Sequence, residues 1–114
     1  MEASKPLPAA AIHILLALVE RDCHGYGILQ AVRERTGGRV RLGAGSLYRH
    51  LARLIGTDLV AEVEPPRACP DPRRGTHYRL TARGRRVLEA ERRRLVELVA
   101  SMDVLRSMPR KGSA

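Results

Sequence analysis

The sequence contains no phenylalanine and no tryptophan, and Tyr26, Tyr48 and Tyr78 are its only tyrosines. Without large rings the core must be filled by Leu, Ile, Val and Ala, so the chain is expected to be built mainly from packed helices. Cysteine is scarce as well. Cys23 and Cys69 are too few and too far apart for a disulfide framework, which points to a reducing compartment. Lysine is nearly absent: of 21 basic residues only Lys5 and Lys111 are not arginine. No apolar run is long enough to cross a bilayer. The stretch from Met1 to Pro6 has no basic region joined to a hydrophobic signal core and cleavage site. The expectation is a cytoplasmic protein with no membrane partner.

What the sequence does hold is ordinary apolar content and an unusual charge. With 114 residues, 44% of them hydrophobic, it is sized for one domain with a modest core. The net charge is +9. The arginines cluster: six lie between Arg33 and Arg53 against the single acid Glu34, and seven between Arg67 and Arg86 against the single acid Asp71. A small domain with such basic clusters is expected to meet a polyanion, and nucleic acid is the usual one.

The stretch from Val40 to Val60 carries the most information. It opens extended, with Arg39 and Arg41 alternating with Val40 and Leu42, and is broken by Gly43 and Gly45. Ser46 is the expected N-cap of a short helix running to Ile55, because its hydroxyl can accept from an orphaned helix N–H. Leu47, Leu51 and Leu54 recur at i, i+4 and i+7 and form the inner stripe. Tyr48, Arg49, Ala52 and Arg53 fall on the opposite face, with His50 to one side. That face suits a DNA groove, where arginine reaches guanine edges or phosphates and tyrosine donates to phosphate.

Around it, Ala9 to Glu20 reads as a first helix that is apolar nearly all round, with Ile12, Leu15, Leu16 and Val19 on one stripe. A helix greasy on every side is buried on every side, and one face is expected to meet another subunit. Cys23 to Gly27 reads as a turn into a second helix, from Tyr26 to about Arg35, stopped by Thr36-Gly37-Gly38. Leu59 to Glu64 and Thr76 to Leu80 read as two antiparallel strands. The proline- and arginine-rich stretch between them can only be a loop. A basic loop between two strands, after three helices, is the wing of a winged helix. Thr81 caps a last helix, Ala82 to about Arg106, roughly 35 Å long at 1.5 Å per residue. Leu88, Leu95 and Met102 are spaced by seven, and Glu91, Leu98 and Leu105 form a second such series. An overhanging helix with an apolar seam predicts a dimer.

The expected fold is therefore mainly α with a small two-stranded β-hairpin. Residues 1–81 form the winged helix-turn-helix, and residues 82–108 form a dimerisation helix in the same compact domain. The DNA-binding candidates are Ser46, Tyr48, Arg49 and Arg53 on the third helix, Arg39 and Arg41 before it, and Arg73, Arg74 and His77 at the wing. The dimer candidates are Ile12, Leu15, Leu16 and Val19 with Leu88, Leu95, Leu98, Met102 and Leu105.

The order of motifs resembles the PadR family of bacterial transcriptional regulators, in its short form with a single C-terminal helix. The matching pieces are Ile14-Leu15-Leu16-Ala17-Leu18, His24-Gly25-Tyr26-Gly27-Ile28, Gly45-Ser46-Leu47-Tyr48 with Leu51 and Arg53-Leu54, and Tyr78-Arg79-Leu80-Thr81 with Gly84. The resemblance implies a homodimeric winged helix-turn-helix, usually a repressor of a nearby gene, whose first and last helices exchange contacts across the dimer. Two positions depart from the family: Asp58 stands where glycine is common, and Ile55 where a polar residue is usual. Some relatives hold planar drugs between interface aromatics, a mode this chain, with neither Trp nor Phe, does not support.

Other chemistry finds little footing. Cys23 beside His24 lacks an orienting group and an oxyanion site, so no enzyme is expected. Cys23, His24, Cys69 and His77 show no paired ligand spacing, so no metal or other cofactor is expected. Cys69, among arginines, is a candidate redox-sensitive thiol. The expected partners are double-stranded DNA and a second copy of the chain, with any small-molecule effector unknown. The competing class is a basic dimeric interaction module that binds protein or RNA without promoter specificity.

Overall fold

In the computed structural model, which describes residues 5–65 and 75–108, the chain runs α1 (Ala9–Val19), β1 (Cys23–His24), α2 (Gly25–Arg35), α3 (Ala44–Gly56), β2 (Val60–Val63), β3 (His77–Leu80), α4 (Ala82–Ser101) and α5 (Val104–Ser107). The core is aliphatic. Ile14, Leu15 and Leu18 of α1 meet Ile28 and Val32 of α2 and Leu47, Leu51 and Leu54 of α3, closed by Leu59, Val60 and Tyr78. The leucine stripe of the third helix is therefore its buried side, as its spacing requires.

The sheet is antiparallel and has three strands in the order β1-β3-β2 rather than the expected two. Val60 to Val63 pair with Leu80 to His77, and on the other edge Cys23 pairs with Tyr78 and His24 with His77. The segment expected to be a plain turn thus supplies a strand of two residues, fixed by a partner more than fifty positions away. Arg79 and Asp22 pin the same junction, with Nη2 to Oδ2 at 2.9 Å and Nε to Oδ2 at 3.2 Å.

The helix ends follow from local chemistry. The Nδ1 of His24 accepts from the N–H of Gly27 at 2.9 Å and caps α2. At the far end Gly37 and Gly38 have φ of 61° and 83°, and Gly38 N–H returns to the carbonyl of Arg33 at 2.9 Å. This is a left-handed C-cap. The α3 helix ends the same way without glycine. Asp58 takes φ 64°, its N–H donates to the Ile55 carbonyl at 3.0 Å, and Leu59 N–H donates to the Leu54 carbonyl at 2.8 Å. Asp58, at the position where the resemblance implies glycine, thus adopts the left-handed conformation that glycine would favour.

Two boundaries differ from the sequence expectation. The α3 helix begins at Ala44 after an extended Gly43, so Ser46 sits inside the first turn and makes no capping bond. The last helix stops at Ser101. The N–H of Met102 is shared between the carbonyls of Leu98 and Val99, and Asp103 N–H donates to the Ala100 carbonyl at 3.0 Å. The final turn therefore tightens and the chain restarts as α5. Its start does match: Thr81 Oγ1 accepts from Gly84 N–H at 2.9 Å and donates to the Asp58 carbonyl at 2.6 Å. This ties the end of α3 to the start of α4. Among the described residues, no helix is long and apolar enough to cross a membrane.

Candidate nucleic-acid interface and an apolar groove

The outer face of α3 is laid out as its periodicity demands. Tyr48, Arg49, Ala52 and Arg53 are exposed while Leu47, Leu51 and Leu54 are buried. Arg49 and Arg53 lie one turn apart on the same side, and Arg39 and Arg41 are exposed on the segment leading in. Ser46 is half-buried at the base of the helix.

The ring of Tyr48 has a seat that sequence spacing does not reveal. A Cβ on Gly25 would lie 2.5 Å from the Tyr48 hydroxyl and 3.2 Å from Cζ. Tyr48 thus leans across the start of α2, 50% exposed, and occupies the space a side chain there would need. Tyr78 lies behind it. Burial raises the pKa of the Tyr78 phenol, and the nearby Tyr48 and Glu62 raise it further, so it stays neutral.

His77 does not belong to this face. It was expected among the wing contacts, but its side chain is 5% exposed and its ring packs edge-on against His24 at 5.4 Å. β3 is the middle strand, paired on both edges, and its neighbouring Tyr78 is buried as well, so both faces of the strand are covered at this end. Arg67, Arg73, Arg74 and Cys69 lie outside the described residues.

A second feature runs between α1 and α4. Ile12, Leu16 and Val19 face Leu88, Leu95 and Val99 across an open groove of about 540 Å³. Leu98, Met102 and Leu105 are 45%, 52% and 70% exposed. Leu15, expected on the same stripe, is instead fully buried in the chain's own core and has no surface to offer a partner. Glu91, read as part of the heptad seam, is 6% exposed at the groove's edge, where its carboxylate accepts from Arg94 Nη2 at 2.5 Å.

Cys23, half-buried, offers no activated thiol. Burial raises its pKa, only partly offset by the charge of Arg21. Among the described residues no cluster of three His, Cys, Asp or Glu side chains is arranged to hold a metal ion.

Residues 14–90 match the model of the Transcriptional regulator PadR-like family, more than half of the chain. The chain belongs to that family. Its members regulate transcription rather than catalyse a reaction. Among relatives, the chain is 37% identical over 89 residues to an uncharacterized 37.1 kDa protein in transposon TN4556 of Streptomyces fradiae. That stretch is 78% of this chain but only 24% of the transposon protein. The chain is also similar to the crystal structure of a PadR family transcription regulator from Clostridium difficile, at 28% identity and a TM-score of 0.68, covering 82% of this chain and 96% of that one. Bacillus subtilis PadR, solved in complex with operator DNA, shares the fold at 20% identity and a TM-score of 0.60, over 72% of this chain and 45% of that one.

Proposed function

We propose that the chain is a cytoplasmic, homodimeric transcriptional repressor that binds a palindromic operator in duplex DNA. The observation that carries this reading is the α3 helix, whose one side is buried leucine and whose other side presents Tyr48, Arg49 and Arg53 around the small Ala52. An arginine pair one turn apart can reach adjacent bases in one major groove, and a tyrosine beside it can hold the phosphate register. The family relative from Bacillus subtilis was solved with operator DNA, which supports the same use of the fold here. Residues 1–81 carry the DNA contacts in this reading, and Arg39, Arg41, Arg73 and Arg74 add charge along the flanking backbone.

The homodimer rests on the groove and the exposed seam. Val96, Leu98, Val99, Met102 and Leu105 are each 45% exposed or more, a concentration of uncovered apolar side chains at one end of the chain that supports a partner there. Residues 82–108, with Ile12, Leu16 and Val19, form the two-fold interface in this reading. One helix reads only a few base pairs. Two copies about one DNA turn apart, roughly 34–36 Å, read an inverted repeat.

Genomic footprinting with the purified protein tests this. Protection of an inverted repeat upstream of its own or a neighbouring gene is the expected result. Sequence-indifferent binding, or tighter binding to RNA, would instead favour the basic interaction module.

A further inference from the structure

Away from the arginine face of α3, a cavity of about 710 Å³ opens between the end of α1, the strand β1 and the outer side of α2. Unlike the apolar groove beside α4, it is ringed by charge of both signs. Glu20 and Arg21 stand on one side and Glu34 and Arg35 on the other, with Gln30 between them on α2. None of these four charged groups is ion-paired among the described residues, whereas the neighbouring Asp22 is taken by Arg79.

The cavity also reaches His77, 5% exposed, whose Nδ1 has no hydrogen-bond partner. A buried ring nitrogen left without a partner is costly, and such groups are rare in folded proteins unless something fills the place. Arg21, exposed at the rim, lies close enough to the thiol of Cys23 in the same cavity for its charge to act there. A metal ion is a poor occupant, because no three ligating side chains converge among the described residues.

We infer that this cavity is a binding site for a small zwitterion of the amino-acid type. The carboxylate pairs with Arg21 and Arg35, the ammonium pairs with Glu20 and Glu34, and a polar group of the ligand meets His77 Nδ1. A rim that carries both signs of charge complements a ligand that carries both. His77 opens β3 and pairs in register with His24 and Val63, so an occupant there bears on both neighbouring strands.

The test uses the full chain without DNA, so its failure is distinct from failure of the operator reading. Long-range proton–nitrogen NMR follows the histidine rings while each standard L-amino acid is titrated to millimolar concentration. At least one should move the His77 ring nitrogens saturably. Its N-acetylated form, and its decarboxylated amine, should bind about tenfold more weakly or worse. Arg35→Ala and Glu34→Ala, both at exposed positions, should weaken binding to a similar degree with the circular dichroism spectrum unchanged. These variants keep the test open if His77→Gln fails to fold. No saturable shift with any amino acid, or equal affinity for the acetylated ligand or in the Arg21→Ala/Arg35→Ala double variant, overturns the site.

Discussion

The hydroxyl of Tyr48 lies where the first carbon of any side chain at Gly25 would have to go, 2.5 Å from the position of that carbon. The second and third helices of the DNA-binding unit are thus fitted together by an absence. Gly25→Ala should displace the Tyr48 ring. That ring is half exposed and free to swing, so stability should stay within about 1 kcal/mol of wild type. DNA affinity should fall about tenfold, the cost of one hydrogen bond to a charged phosphate. Base preference should not change, because phosphate contacts carry no sequence information. Thermal melts beside a binding isotherm check this; a lower melting temperature with unaltered binding would show that Tyr48 acts only in packing.

Asp58 gives a prediction of the opposite sign. It holds a left-handed φ of 64° at the end of α3, where an L side chain is strained and glycine is not. Asp58→Gly should raise the unfolding free energy by about 1 kcal/mol and leave DNA binding alone. Denaturant unfolding at fixed protein concentration measures it, since a dimer's stability depends on concentration. A destabilised variant would mean the carboxylate does something the backbone geometry does not require.

These two positions mark the limit of what the sequence makes legible. The Leu47, Leu51 and Leu54 stripe, the Thr36-Gly37-Gly38 stop and the Thr81 cap are local patterns, and each lies where its spacing puts it. The strand β1 is only two residues long, too short to show any alternation, and exists because Tyr78 and His77 arrive beside it. That pairing also brings His24 against the ring of His77, a cover that strand propensity alone does not reveal. Gly43, extended, takes the N-cap place three residues before Ser46, the expected N-cap, and leaves that serine's hydroxyl no capping role. The heptad count carried the last helix through Met102, where a tightened turn stops it. Leu15 sits on the apolar stripe of α1, but a helix apolar on nearly all sides does not reveal which side faces its own core.

The proposed homodimer, with the exposed apolar side chains of α4 in its interface, predicts that Leu98→Asp converts the dimer to a monomer. Leu98 is 45% exposed in the single chain and contributes nothing to its buried core, so the helical signal should persist in the monomer. A carboxylate facing the partner's apolar seam would be buried without a counter-charge, which is costly. Light scattering is the measurement. A variant that remains dimeric would move the interface elsewhere.

Cys23 should be a slow thiol. Burial holds its pKa above the ordinary value, so little thiolate is present at neutral pH. In a Cys69→Ser background, alkylation by iodoacetamide should run below the rate of an unhindered thiol at neutral pH and climb as the pH rises towards the thiol pKa. Rapid alkylation at neutral pH would contradict the buried placement.

The most direct test of the account is the ratio of affinities for the footprinted fragment and a scrambled duplex of the same length, measured at physiological salt. Wild type should prefer the operator by about a thousandfold or more, as specific DNA readers do. Arg49→Ala/Arg53→Ala should lose most of that preference, at about 1–3 kcal/mol for each guanine contact, while keeping its non-specific binding. A wild-type ratio near unity, or a ratio untouched by the double variant, would contradict the claim that the exposed face of α3 reads DNA.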